Sequence, residues 1–472
     1  MSGTRVAVLA CLALLGVSSH APAQTEWLGG TGDWFEPSNW TAGVPSQTNP
    51  AAVNTGSARF DTPATAGEFI GLTVGGRSST RGVDITEGQV LGEADLTVTG
   101  LADIGIAGGT GQGTVRTGEG RLILRGGDLV NEPYQDPFFP DQVAGVRIGT
   151  ASGTGTDTVF TGLGLVRMTG GSVRSAGFVE VGRAGGTGTR GERHAMGELQ
   201  LVGGDLIGAG GVTIGTASGT GSTDGFANGR ASIVGGDLIV EPLIDPFNED
   251  AFSSLSVGSA GGTGQFDGSA VGVLYIDRGD VAANSVRVGV AGGISNSTSR
   301  AEGRMMVRYG DVRMQEMTVG TLGSNGVSAS GLVELAAGAI QGESLVIGEF
   351  GELVLELGGA LPAPAPSSLT VADVAFGKVR VDEVQIAGGL TARFAAGFRP
   401  EAGQHFDLIV ADQLTGAFSV EVLGLDPFWR DRLTVVRTPT LLRLQFAVPE
   451  PASAGTVAMA FAALSLRSRS RR

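Results

Sequence analysis

Eight times along this chain a glycine opens the same short pattern, and that repetition leaves few folds open. With that glycine as position zero, copies begin at Gly120, Gly164, Gly197, Gly229, Gly272, Gly303, Gly331 and Gly351. Two residues on stand Leu122, Val166, Leu199, Ala231, Leu274, Met305, Val333 and Leu353; four on stand Leu124, Met168, Leu201, Ile233, Ile276, Val307, Leu335 and Leu355. All are apolar, while the residues between them, from Ile123 and Arg167 to Glu334 and Val354, share no character. Apolar residues at period two mark a strand with one face in a core. Seven residues after position zero every copy has another glycine, from Gly127 to Gly358, as expected where a chain must turn or be closely approached.

A second apolar strand follows in most copies, reading apolar-x-apolar-Gly: Val146 to Gly149, Val179 to Gly182, Val212 to Gly215, Leu255 to Gly258 and Val286 to Gly289. After it comes a Gly/Ser/Thr stretch such as 150–155, 183–188 or 216–221, read as a loop. Copies recur every 20 to 44 residues, and a unit of that size cannot bury its apolar face alone, so copies must stack. The expected fold is all-β, a β-solenoid of stacked coils, each adding about five inward side chains at roughly 1.5–3 kcal/mol apiece against the entropy of ordering a Gly-rich chain. An antiparallel β-sandwich is the competing arrangement, since period two alone does not separate the two. Glycine supplies 81 of 472 residues and aromatics only 6%, a balance that would suit disorder were the 41% of hydrophobic residues not so strictly placed.

Both ends carry address-like segments. Arg5, the apolar run Val6 to Val17 and the small-x-small site Ala21-Pro22-Ala23 read as a signal peptide over residues 1–23, with Gln24 the first mature residue. Cys11, the one cysteine, would leave with it, so neither disulfides nor thiolate chemistry are expected in the mature chain. At the other end, residues 447–472 hold Val448-Pro449-Glu450-Pro451, an apolar segment from Gly455 to Leu466 and a basic Arg467-Ser468-Arg469-Ser470-Arg471-Arg472 end. This tail resembles the PEP-CTERM sorting signal of exported bacterial proteins. The resemblance implies handling by a membrane transpeptidase of the exosortase type, cleavage near Pro449-Glu450-Pro451, and a destination at the cell surface, outer envelope or outside the cell. Even counted from Ala452 to Leu466, about fifteen residues, the segment is short of the ~20 a spanning helix needs, and it is read as a transmembrane helix only in the sense of a transient, processed membrane contact.

Removing Arg5 and the four tail arginines takes the net charge from -15 to -20. An acidic chain lacks the basic face that nucleic acid needs and favours solubility and contacts with divalent cations. Residues 24–67 form an N-terminal cap that holds Trp27, Trp34 and Trp40, rings that either plug the first coil or offer a platform for sugars. This stretch resembles the start of autotransporter-associated β-strand proteins, which implies a β-helical, non-enzymatic body. Residues 68–360 are the repeats, with degenerate copies from Gly71 to Gly118; 361–368 are a Pro-rich linker; 369–446 are a C-terminal β cap that blunts the open edge.

Chemistry is sparse. The residue after the turn glycine is Asp128, Ser172, Asp205, Asp237, Asp280 and Asp311 in successive repeats. In register these carboxylates form a column of like charge, which is costly unless solvated or bridged; the readings are a calcium ladder or aspartates that each close their own turn. No other cofactor and no metal site is expected. His194 and His405 share no motif, and no nucleophile elbow, phosphate loop or dinucleotide fingerprint is present in a strand-turn-helix setting. Two stretches, Glu132 to Phe138 and Glu241 to Phe247, repeat a Glu-Pro-x-x-Asp-Pro-Phe pattern and are candidates for a specialised surface. The expected function is a non-catalytic structural or adhesive role at the cell surface, with extracellular polysaccharide as partner on the strength of the resemblance. The alternatives are a polysaccharide lyase or hydrolase, which would need a local carboxylate cluster, and an ice-binding or calcium-binding surface protein.

Overall fold

The structure, a computed structural model, describes residues 24–46, 49–60, 66–77, 83–93, 95–133, 144–242, 253–293, 297–358 and 376–447. It is nearly all β, with 72% of residues in strands and 2% in helix. Through the repeats each strand pairs in parallel with its counterpart one repeat on. Val115–Arg125 pairs with Val159–Thr169, which pairs with the second half of Phe178–Val202, and so on through Asp267–Asp277, Thr298–Arg308 and Gly351–Leu357. Glycine zero lies beside glycine zero from Gly120 to Gly351. A second ladder joins Leu96–Gln112, Gly145–Thr156, the first half of Phe178–Val202, Gly211–Val234, Ser254–Gly264 and Ser285–Ala291. The irregular spacing is absorbed outside the ladders, which is why register survives it.

The hydrogen bonding corrects the expectation of a β-solenoid. The strands merge into a single 33-strand sheet, and this closes into a 14-strand parallel β-barrel with further strands outside it, not a stack of separate coils. The physical reason lies in the Gly/Ser/Thr stretches taken as loops, which are themselves strand. Phe178–Val202 runs unbroken for 25 residues, pairing with Gly145–Thr156 over its first half and with Val159–Thr169 over its second. A strand shared by two ladders joins them, and the sheet closes.

A third set of short strands also escaped the pattern. Leu129–Glu132, Val173–Ser175, Leu206–Ala209, Leu238–Glu241, Val281–Ala282 and Val312–Arg313 pair in parallel in that order. Leu129, Val173, Leu206, Leu238, Val281 and Val312 are fully buried beside the position-two and position-four columns and Val146, Ile148, Val179 and Val181.

The interior is divided in two. Each glycine zero presses on the glycine that ends the second-strand motif across the barrel: a β-carbon on Gly164 would collide with the backbone nitrogen of Gly149, and one on Gly149 with the carbonyl of Met196 and the nitrogen of Gly197. Gly149 also has φ +65°, a conformation costly for any residue with a β-carbon. On one side of this seam lies the main apolar core. On the other lies a narrow second core of alanines, Ala151, Ala184, Ala217 and Ala260 facing Ala195, Ala227, Ala270 and Ala301, closed by Phe160 and Phe266.

At the N-terminal end Trp27, Trp34 and Trp40 are buried, packed edge to face at 5.1 and 4.8 Å, and Trp40 Nε1 donates to the Trp34 carbonyl at 2.8 Å. Their faces are spent on the barrel end and not open to a ligand. Toward the other end Gly377–Ile386 and Gly389–Phe394 continue the parallel ladders. The strand direction then reverses: Leu441–Phe446 pairs antiparallel with both His405–Val410 and Leu433–Arg437, over a cluster of Phe394, Phe406, Phe446 and Trp429. The transmembrane-helix reading finds no support among the described residues. No helix among the described residues is long and apolar enough to cross a membrane, and the helical segments are the single turns Pro37–Asn39 and Pro427–Arg430. Gly455 to Leu466 and the linker 361–368 lie outside the described residues.

Candidate functional site

The aspartate column exists, and its carboxylates are half-buried. Each reaches not into its own turn but to the next repeat. Asp128 Oδ1 accepts the Ser172 N–H at 2.8 Å, Asp205 Oδ1 the Asp237 N–H at 2.9 Å, Asp237 Oδ1 the Asp280 N–H at 2.8 Å, Asp280 Oδ1 the Asp311 N–H at 2.9 Å, and Asp311 Oδ1 the Ala339 N–H at 2.8 Å. Ser172 Oγ takes the same place beneath the Asp205 N–H at 3.1 Å, and Asp95, which the repeat pattern did not pick out, begins the series beneath the Asp128 N–H. Parallel in-register pairing puts each N–H directly above the previous carboxylate, so the column is a string of charge-assisted bonds. At its end the outer oxygens meet cations: Arg313 lies 3.1 Å from Asp280 Oδ2 and 3.4 Å from Asp311 Oδ2. Among the described residues there is no group of three or more His, Cys, Asp or Glu side chains arranged to hold a metal ion.

A second cluster stands on the outer face of the second ladder, where Asp103, Arg147 and Glu180 occupy successive strands. Arg147 grips Asp103 through Nε and Nη2 at 2.6 and 2.7 Å, and Arg183 holds Glu180 at 2.8 Å. Burial holds the Glu180 carboxyl above its ordinary value even with Arg183 and Arg147 drawing it down, and burial likewise raises Asp103 against the pull of Arg147. Asp103 and Arg147 line a cleft of about 550 Å³ together with Gln24, Glu26 and Asn54.

Two arginines lie inside the barrel, four residues before glycine zero, where the pattern gave no warning. Arg116 and Arg193 flank Phe160 on adjacent strands, their guanidinium carbons 5.4 and 4.4 Å from its ring centroid. Arg193 donates to the carbonyls of Thr158 and Glu192 at 3.0 Å, and Arg116 to those of Gly108 and Thr110. Both Nε atoms are buried without a partner, and burial pushes Arg193 down to about 10.

On the outer face of the first ladder His194 stacks on Phe226 at 5.0 Å and 7°, and Phe226 and Met196 are exposed. Over the glycine-zero column of this face open two clefts, one of about 370 Å³ between Gly120 and Arg230 and one of about 580 Å³ between Glu302 and Glu421. His405 lies far away in the antiparallel end. Of the remaining sequence candidates, Ala21, Ala23 and Val448 to Pro451 lie outside the described residues, as do 134–138 and 243–247 of the repeated Glu-Pro motif; Gln24 is exposed at the start of the described chain. No family model, curated protein or solved structure matches this chain.

Proposed function

We propose that this chain is an exported structural and adhesive protein of the cell surface, non-catalytic, directed there by its Val448-Pro449-Glu450-Pro451 tail and handled by a transpeptidase of the exosortase type. The observation that carries the structural part is the carboxylate-to-amide series from Asp95 to Ala339. It commits the most regular acidic side chains of the chain to holding one repeat on the next, as suits a stiff scaffold. Extracellular polysaccharide is its proposed partner. The test is fractionation of expressing cells, comparing the native tail with a variant in which Pro449, Glu450 and Pro451 are alanine. Surface retention that depends on the three residues supports the reading; unchanged location in the variant refutes the sorting part, and product released from polysaccharides by the purified protein refutes the non-catalytic part.

A second reading, a polysaccharide-active enzyme, is favoured by one observation: two carboxyl groups with raised proton affinity, Asp103 and Glu180, on either side of Arg147, with Asp103 and Arg147 lining a cleft. Raised carboxyls suit general acids. Turnover abolished by D103N or E180Q would establish it; turnover that survives both would remove it.

A further inference from the structure

The glycine seam has an outside as well as an inside. Drawing glycine zero onto the opposite backbone pulls the first ladder inward along one line, and the residues just before and after each glycine are left standing as banks. The two clefts of the first ladder open on this line: Glu119, Leu163 and Met196 rise on one side of the first, with Arg121, Glu198 and Arg230 on the other. The second repeats the arrangement around Gly303, Gly331 and Gly351, with Glu302, Phe350, Arg304 and Glu352. Between them Val271 and Val273 flank Gly272. From Gly120 to Gly351 is seven strand spacings of about 4.8 Å, roughly 34 Å.

We propose that this groove is a binding track for a linear, uncharged polysaccharide lying along the line of glycines. The proposal rests on the adhesive reading above and names its ligand class. Three observations choose the occupant. The track runs the length of the repeats and renews itself one strand at a time, which suits a polymer and not a compact ligand. Its chemistry alternates carboxylates and guanidiniums, which hydrogen-bond hydroxyls through several lone pairs or N–H groups, with apolar side chains on which the C–H faces of sugar rings can lie. Its charge excludes the alternatives: Glu119 and Glu198 balance Arg121 and Arg230 in the first cleft, while Glu302, Glu349, Glu352 and Glu421 outnumber Arg304 in the second. Neither cleft is net positive, so neither attracts a polyanion, and the second repels it. An extended peptide would seek free backbone groups, and this ladder is paired on both sides from Val159–Thr169 to Gly326–Leu335.

The test is calorimetric titration of the full chain with a panel of neutral linear glucan, mannan, xylan and galactan oligomers graded in length, with polygalacturonate as the polyanion and a neutral extended peptide as controls. At least one neutral series should bind, with affinity that rises with oligomer length, and R230A combined with E198Q should weaken it at least tenfold. R167A, which removes an exposed charge from the same ladder off the groove, should leave it unchanged, and circular dichroism should show both variants folded. Binding that is indifferent to R230A with E198Q overturns the groove while leaving the adhesive reading intact. No neutral polymer bound, or a preference for polygalacturonate or the peptide, overturns the ligand class, whereas failure of the surface-sorting experiment would leave this measurement untouched.

Discussion

Removing one carboxylate from the aspartate series should loosen one identifiable amide. In Asp237→Ala the Asp280 N–H loses its acceptor at 2.8 Å, while the Asp237 N–H keeps its own bond to Asp205 Oδ1 at 2.9 Å. A hydrogen bond to a charged group contributes about 1.5–3 kcal/mol. Against that, the substitution relieves repulsion with Asp205 and Asp280 one strand spacing away, worth about 1 kcal/mol in a largely solvated setting. The net loss expected is about 0.5–2 kcal/mol, a factor of roughly 2–30 in a local equilibrium. The assay is amide hydrogen exchange resolved at Asp280, which should speed up by that factor in Asp237→Ala. Asp237→Asn retains an acceptor oxygen without the charge, and exchange there should stay near that of the native chain. Equal acceleration in both variants would mean that the charge matters and not the bond, and unchanged exchange in Asp237→Ala would refute the structural role of the column altogether.

Gly164→Ala should cost about 1–3 kcal/mol as overpacking, since its β-carbon meets backbone that cannot step aside; a denaturation midpoint equal to that of the native chain would show that the two ladders do not touch there. Arg193→Met removes a buried guanidinium whose Nε has no partner and should be neutral or stabilising in urea titration, with a loss above about 3 kcal/mol refuting the view that its carbonyl and ring contacts only offset desolvation. The Arg443 hydrogen bonds hold the Asp407 carboxyl below its ordinary value, so this contact stabilises the antiparallel end above the ordinary carboxylate range. That contribution is lost as pH falls from the ordinary carboxylate range through the lower folded value. An acid titration followed at Trp429 should show the native end loosening over that window and Asp407→Asn already loosened above it; identical acid profiles would refute the assignment. Trp34→Ala, at 1% exposure between Trp40 and Phe60, should cost about 3–5 kcal/mol, read from the thermal midpoint.

The first ladder was legible because its signal is strict: apolar residues two and four beyond a glycine face the core wherever the structure describes them. The second core was legible in principle and was missed. Ala151, Ala184, Ala217, Ala260 and Ala291 each stand two residues after a seam glycine, and Ala195, Ala227, Ala270, Ala301 and Ala329 two before glycine zero, so period two runs on through stretches whose Gly, Ser and Thr content resembles a loop. Small residues are used because the seam leaves room for little else, and where a large ring enters, as Phe266 does, it lies over Gly219, Gly225, Gly262 and Gly268. The short third strands escaped because two to four residues are too few to show a period. Register is legible in the repeated columns while closure is not, since closure depends on whether a segment pairs or hangs free, and composition does not decide that. The direction of the aspartate bonds likewise depends on which N–H stands above each carboxylate, a three-dimensional fact that follows only from parallel in-register stacking.

Why glycine zero should be constant while its neighbours vary follows from the two surfaces it serves. Inside, any side chain there would part the ladders and merge the main core with the alanine core, exposing Arg116 and Arg193 to a changed set of carbonyls. Outside, the same side chain would push the wall outward and flatten the line between the two clefts. The residues on either side of it answer to neither constraint, because they stand on the banks, and this chain fills them with Glu, Arg, Leu, Met, Val, Asn, Ser and Phe. A fixed backbone track with freely varied banks is the arrangement in which surface chemistry can change from one repeat to the next at no cost to the fold.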